Sequence, residues 1–386
     1  MKIVDVEVIP FRTFTDRFEN GKPVPKKEIR QTVTRVACDD GAEGYCLGGQ
    51  YHGEHDGVDV VNEAAITHRI KPMLIGCDPL DREKFWHWMW AAKMPEHALS
   101  AVDVALWDLA ARAAGLPLYK YLGGCRDRVI AYGSTYPNMG QPRDYADHAL
   151  ECKKLGYPAY KIHPYYYWDP GTGNPVPGRP SHVKWDLEVC HLVREAVGDE
   201  MVLMYDPWGT YHTISDALRV GRELEKLGFY WYEHPMPEYR VENYVTLSRE
   251  LTIPICSPEI IEGSLYTRAD WIRRGASDIS RIDTIRGGIT GAMKMAAICE
   301  AYGVRCELHM SGLANLQVLG ATSEDVCEYY ERGLLAPGVD YDAVPEYLED
   351  ASDPLESDGT VALPSRPGLG HTFRWDYINE HRVGTA

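Results

Sequence analysis

MVLMYD at 201–206, FYWYE at 229–233, IPICSPE at 253–259, ISRID at 279–283 and VRCELH at 304–309 are short β-like runs, and each ends on an acid or an imidazole. The closing residues Asp206, Glu233, Glu259, Asp283 and His309 are spaced by 27, 26, 24 and 26 residues. Amphipathic helical stretches fill the gaps, among them HTISDALRVGRELEKLG and GITGAMKMAAICEAYG. One strand and one helix per interval make a βα unit, and their repetition predicts a parallel sheet. Outward from this block, RVIAYGS (128–134) and AYKIH (159–163) precede it and VCEYYE (326–331) follows. About eight units in roughly 230 residues match the size of a (β/α)8 barrel.

The region before Gly124 reads differently. MKIVDVEVIPF alternates like a strand, TDRFENGKPVPKK (15–27) is polar and loop-like, and IRQTVTRVACDDGAEGYC carries an Asp-Asp-Gly hairpin signal at 39–41. HALSAVDVALWDLAARAAGL (97–116) has helical apolar spacing and stops at Gly115 before Pro117. Strands followed by segregated helices predict an α+β unit.

In a parallel barrel the C-terminal strand ends open on one face, where active sites lie. His163 and His309 should therefore converge with Asp206, Glu233, Glu259 and Asp283. A lone acid after a strand is ordinarily a helix cap, and a lone histidine is ordinarily hydrogen-bonded in a core. Six such residues in near-constant register are not expected of caps. Three converging carboxylates would raise one another's pKa unless a cation sat among them, and their oxygens suit Mg2+. Lys161 and His163 are two apart on a strand and share a face. Asp283 ends the strand before that of His309, so a carboxylate can orient the imidazole and stabilise its protonated form.

On these residues the whole chain resembles the enolase superfamily, and within it the mandelate racemase subgroup. The opening MKIVDVEVIPF, SAVDVALWDLAARAAGLPLYKYLGG, the carboxylate series, GGITGAMKMAAICEAYG after Asp283, and His309 carry the resemblance. It implies an α+β capping domain at 1–125, joined by about 361–386, on a modified (β/α)8 barrel, (β/α)7β, at 126–360. It implies one Mg2+ per subunit on Asp206, Glu233 and Glu259, and His309 with Asp283 as an acid–base dyad. Lys161 matches the first Lys of a K-x-K strand, and His163 stands at the second. Glu331 resembles the residue that hydrogen-bonds the substrate carboxylate, with Glu328 as the alternative three residues away. Trp208 stands where relatives carry a polar group and would form an aromatic wall. The usual Glu-Glu-Pro reads Glu233-His234-Pro235, and strand alternation directs His234 away from Glu233 into a structural role. Cap loops at 14–28 and 47–55, with Arg17, Lys22, Gln50, Tyr51 and His52, would close over a polar, hydroxylated anion. The insert YYYWDPGTGNPVPGRPS (165–181) would line the site through Tyr165 to Trp168, or else meet another subunit.

The reaction implied is removal of the proton α to a carboxylate with charge stabilisation by the metal. Dehydration of a sugar acid to a 2-keto-3-deoxy acid is the favoured form, with His163 or Lys161 as base and His309 as acid. A racemase or epimerase would use the same residues, and a non-catalytic binding protein would not need them.

Composition sets the outer bounds. Of 386 residues, 40 are Lys or Arg and 57 Asp or Glu, a net charge of −17, which disfavours nucleic acid and anionic membrane surfaces as partners. No G-x-G-x-x-G or P-loop pattern follows a strand. No run reads as a signal peptide or a transmembrane span. The ten Cys are scattered without a C-x-x-C pair, which predicts reduced thiols in a cytoplasmic protein. A soluble homo-oligomer acting on a small carboxylate is the resulting expectation.

Overall fold

The computed structural model describes residues 1–19, 22–164 and 182–384, so the 165–181 insert, with Tyr165 to Trp168, lies outside the described residues. Strands β1 (Ile3–Glu19), β2 (Lys22–Cys38) and β3 (Glu43–Leu47) form an antiparallel sheet in that order. The polar stretch expected to be a loop is instead paired: Thr15 faces Lys27, Arg17 faces Val24, and Phe18 faces Pro23. Alternating Thr and Phe at 13–15 and Phe18 give it strand character that its charges obscure. The Asn-Gly at 20–21, a strong hairpin signal in the sequence, lies outside the described residues. The second predicted loop contains a small hairpin, β4 (Gly49–Gln50) against β5 (Gly53–Gly57).

The helix Glu96–Ala113 is almost wholly buried because it is sandwiched between this sheet and the barrel. Its Ser100, Asp103 and Trp107 lie on one face and meet the start of the helix Gly288–Tyr302. Ser100 Oγ accepts the N–H groups of Gly287 (2.8 Å) and Gly288 (3.1 Å). Asp103 accepts from the Thr290 N–H (3.0 Å) and hydroxyl (2.7 Å), and Trp107 Nε1 donates to Thr290 Oγ1. These bonds satisfy amides that a helix start leaves without partners. A Cβ on Gly288, whose φ is +69°, would lie 2.2 Å from an Asp103 oxygen.

The barrel strands are β6 (Arg128–Thr135), β7 (Ala159–Ile162), β8 (Val202–Tyr205), β9 (Trp231–Glu233), β10 (Ile255–Cys256), β11 (Ile279–Ile282), β12 (Arg305–Leu308) and β13 (Tyr330–Leu335). They are parallel, in the order β12-β11-β10-β9-β8-β7-β6-β13, and β14 (Thr360–Ala362) adds antiparallel to β6. Tyr132, Met204, Trp231, Cys256 and Ile279 fill the interior. The last strand starts at Tyr330, not at Val326. The preceding residues are instead held to β12 by Cys306 N–H on Val326 O (2.7 Å) and by the Glu307 carboxyl. That side chain accepts the N–H groups of Glu328 (3.0 Å) and Tyr329 (3.2 Å) and bridges β12 to β13. Burial pushes its pKa up to about 8.

The C-terminal helix Trp375–Glu380 returns to the N-terminal sheet. Ile378 and Phe373 join Ile9, Phe11, Val33 and Leu47 in one apolar cluster. Backbone bonds from Arg12 N to His381 O and from Val383 N to Pro10 O clamp β1 there. No helix among the described residues is long and apolar enough to cross a membrane, and all ten Cys are free thiols, most of them buried.

Candidate metal and acid–base centre

Short strands place the ionisable side chains at the C-terminal mouth of the barrel. Lys161 lies in β7, Glu233 ends β9, and His163, Asp206, Asp283 and His309 each follow a strand by one residue. Glu259 follows β10 by three residues, and Glu331 is the second residue of β13.

Lys161 is fully buried, and its Nζ lies 2.9 Å from Glu331, 3.1 Å from Glu233 and 3.4 Å from Asp206. Burial alone would lower its pKa, but the Glu233 and Glu331 charges outweigh that and raise it well above the usual lysine range. Lys161 is thus a fixed cation. Arg281, in the middle of β11, is its counterpart: Nε lies 2.6 Å from Glu233 and Nη2 2.5 Å from Glu331. The strand pattern carried a signal for Arg281. ISRID puts a cation two residues before a strand-end acid, as AYKIH puts Lys161 two before His163. Glu331 also accepts the Met310 N–H (2.6 Å) and is held ionised as the counter-ion of Lys161 and Arg281. Glu328 points elsewhere, to Arg305 and Tyr230.

Two imidazoles flank the carboxylates. His163 Nδ1 lies 2.7 Å from the Thr135 carbonyl and so carries a proton, while Nε2 faces Asp206 at 3.0 Å. His309 Nδ1 lies 2.9 Å from Asp283, and Nε2 lies 3.0 Å from Glu259. Burial would lower the His309 pKa, but the Glu259 charge and the Asp283 bond prevail and raise it to about 9. Around the barrel, β6 and β13 separate the strands of these two residues on one side and four strands separate them on the other.

His234 departs from the expectation drawn from strand alternation. β9 ends at Glu233, and His234 has φ +37°, so the alternation is broken and the ring turns inward. Donor atoms of Asp206, His234 and Glu259 all lie within 4.8 Å of one another, a grouping able to hold a metal ion. Glu233 lies beside this group: its Oε2 accepts from Lys161 Nζ (3.1 Å) and the Trp231 indole N–H (3.0 Å), while Oε1, 2.6 Å from Arg281 Nε, is buried without a hydrogen-bond partner. Two carboxylates and an imidazole, all buried, fit a divalent cation.

The N-terminal sheet reaches this mouth. Phe18 packs on Tyr136, just past β6, with ring centroids 6.0 Å apart. Burial raises the Tyr136 pKa, Arg17 draws it down and Asp56 adds to the rise. Glu54 pairs with His371 (3.0 Å) of the C-terminal segment, and His55 Nε2 meets Ser311 Oγ (3.0 Å) on the loop after β12, so the β4–β5 hairpin is anchored at two places. Sequence reasoning missed these two anchors, which only the tertiary contact reveals. Gln50 is buried against Asp59. Tyr51 and His52 are exposed: Tyr51 packs its ring on His97, and His52 Nδ1 bonds Asp56 (2.7 Å). Neither contacts the buried cluster. Trp208, half-buried with φ +51°, donates its backbone N–H to Asp206 (2.8 Å).

A parallel barrel with this arrangement at its strand ends defines an acid–base enzyme with a candidate divalent-metal site. The chain belongs to the mandelate racemase/muconate lactonizing enzyme group of the enolase superfamily. The mandelate racemase/muconate lactonizing enzyme N-terminal domain matches residues 25–123, and the enolase C-terminal domain-like family matches residues 144–377. A D-glucarate dehydratase from Agrobacterium tumefaciens, crystallised with magnesium, is 40% identical, with a TM-score of 0.90 and 100% of both chains covered. The D-galactarolactone cycloisomerase of Agrobacterium fabrum is 28% identical, covering 97% of this chain and 95% of its own. The arabinonate dehydratase of Saccharolobus solfataricus is 29% identical, covering 94% and 93%.

Proposed function

We propose that this protein is a metal-dependent dehydratase that converts a sugar acid to its 2-keto-3-deoxy product. The observation that carries the reading is the pair of imidazoles across the mouth, His163 beside Asp206 and His309 on Asp283, with the metal-type donors between them. The sugar-acid dehydratases among its relatives support the same reading. Lys161, tied to three carboxylates, is a poor base and serves as fixed positive charge near the substrate carboxylate. His163 would take the α-proton on Nε2 once that nitrogen is deprotonated and released from Asp206 (3.0 Å), because Nδ1 is committed to the Thr135 carbonyl. His309, kept protonated by its two carboxylates, gives its Nε2 proton to the departing β-hydroxyl, which leaves as water. The enol left behind tautomerises to the keto acid. A divalent ion, one per subunit and magnesium in the D-glucarate dehydratase relative, would supply charge that stabilises the developing negative oxygen of the substrate carboxylate. Trp208 and the β1–β2 tip with Arg17 would border the sugar chain. The homo-oligomer belongs to the same reading and would appear in light scattering as a multiple of 43.5 kDa.

The test is incubation with Mg2+ and a panel of aldonic and aldaric acids, with assays for 2-keto acid and for α-proton exchange in D2O. Keto acid from one member, lost in His309→Asn, is expected. The two facing imidazoles also suit a racemase or epimerase. Exchange with inversion and no keto acid would establish that reading instead, and inertness towards every acid would reject both.

A further inference from the structure

We propose that Asn315 is the positioning residue that holds His309 and Asp283 in register as one acid–base pair; this rests on the dehydratase reading above, in which His309 is the acid. Asn315 lies in the first turn of the helix Leu313–Ala321 and is 3% exposed. Its carboxamide bridges the two loops that carry the pair. Nδ2 donates to the carbonyls of His309 (2.7 Å) and Met310 (2.9 Å). Oδ1 accepts the backbone N–H and the hydroxyl of Thr284, the residue after Asp283, both at 3.0 Å. The amide fits only one way round, because a carbonyl only accepts and a backbone N–H only donates. Both of its hydrogens and both lone pairs are thereby used. The backbone on the His309 side needs such a hold. Met310 has φ +68°, a left-handed conformation that persists in a non-glycine residue only where the surroundings enforce it. Glu331 takes the Met310 N–H (2.6 Å) and Asn315 takes its carbonyl, so the residue is held from both sides. The His309 N–H donates to the carbonyl of Ile282, the residue before Asp283 (2.7 Å). Asn315 and this backbone bond together fix the two main chains on which the 2.9 Å contact between His309 Nδ1 and Asp283 depends.

The test separates the acid from the base by changing the leaving group. The full-length protein with Mg2+ is given the acid that yields keto acid and, in parallel, its 3-deoxy-3-fluoro analogue. From the analogue the C2 proton goes to His163, fluoride leaves C3 without needing a proton, and the enol tautomerises to the same 2-keto-3-deoxy acid. Asn315→Ala should lower kcat on the hydroxyl substrate by about 10–100-fold, with KM within about threefold, because the imidazole is misplaced and the binding groups are not. On the fluoro analogue its kcat should stay within about threefold of the wild type. In a His309→Asn background, Asn315→Ala should cost less than about a further twofold, since no imidazole is left to position. Equal losses on both substrates, or a full loss repeated in the His309→Asn background, would overturn the inference and leave Asn315 holding the fold alone. Should Asn315→Ala fail to fold, Thr284→Val decides. It removes one of the four bonds and should show the same split between substrates at about 3–10-fold; no split would overturn the inference. A wild type that forms no keto acid from either substrate would overturn the dehydratase reading itself, and the inference with it.

Discussion

The barrel mouth and the seam between helices 96–113 and 288–302 are both rich in buried polar groups, but they use them in opposite ways. At the seam, Ser100, Asp103 and Trp107 each serve the backbone or hydroxyl of one short segment, Gly287–Thr290. At the mouth, Lys161 touches three carboxylates, and Glu259 is shared by His234 and His309. Groups that all serve one segment hold structure. A group with several can lend one to a ligand without being orphaned.

The contrast can be broken by experiment. The largest effect belongs to the mouth: His309→Asn should lower kcat on the keto-acid-yielding substrate by about 10²–10⁴-fold while leaving the melting temperature within a few degrees. A large fall in melting temperature would mean that the mouth also holds structure. Next, Gly288→Ala should destabilise by about 2–4 kcal/mol, from a strained positive φ and a clash with Asp103, with kcat per folded molecule unchanged. Loss of activity at normal stability would erase the distinction.

The seam also carries a pH signature. Burial pushes the Asp103 carboxyl up to about 7, against about 3.9 in an unfolded chain. The folded state then holds a proton that the unfolded state lacks, so the contribution is full below about pH 4 and is lost as pH rises towards 7, at up to about 1.4 kcal/mol per unit. Asp103→Asn, which keeps an acceptor and cannot titrate, should show a flatter urea-stability profile than the wild type over pH 4–7. Parallel profiles would show that Asp103 stays ionised in the seam. The smallest effect is expected of Tyr51→Phe, whose exposed ring lies on His97. It should change kcat/KM by less than about twofold, and a tenfold loss would bring Tyr51 into the site after all.

Much of the site was legible because a barrel converts sequence interval into spatial neighbourhood. Asp206, Glu233, Glu259, Asp283 and His309 stood out by spacing and Lys161 with His163 by strand alternation, and the structure brings all seven to one mouth. The failures occur where a local backbone event overrides the period. His234 was read outward because alternation was carried one residue past the end of β9. Val326–Tyr329 was read as strand because it is apolar, yet a side chain from β12 holds it. The β1–β2 tip was read as loop because charge concealed the Thr and Phe alternation beneath it. Arg281 was overlooked because a cation inside an otherwise apolar strand gains meaning only when Glu233 and Glu331 arrive from other strands.

The long β1–β2 hairpin behaves as a lever. Seventeen residues of β1 span about 55 Å. The C-terminal segment grips the arm near Pro10 and Arg12, which makes that clamp the fulcrum, and roughly 20 Å beyond it the tip at Phe18 rests on Tyr136 at the mouth. A small rotation about the fulcrum becomes a larger displacement at the tip. The last residues of the chain, far from any reacting atom, thereby gain mechanical purchase on the entrance to the barrel.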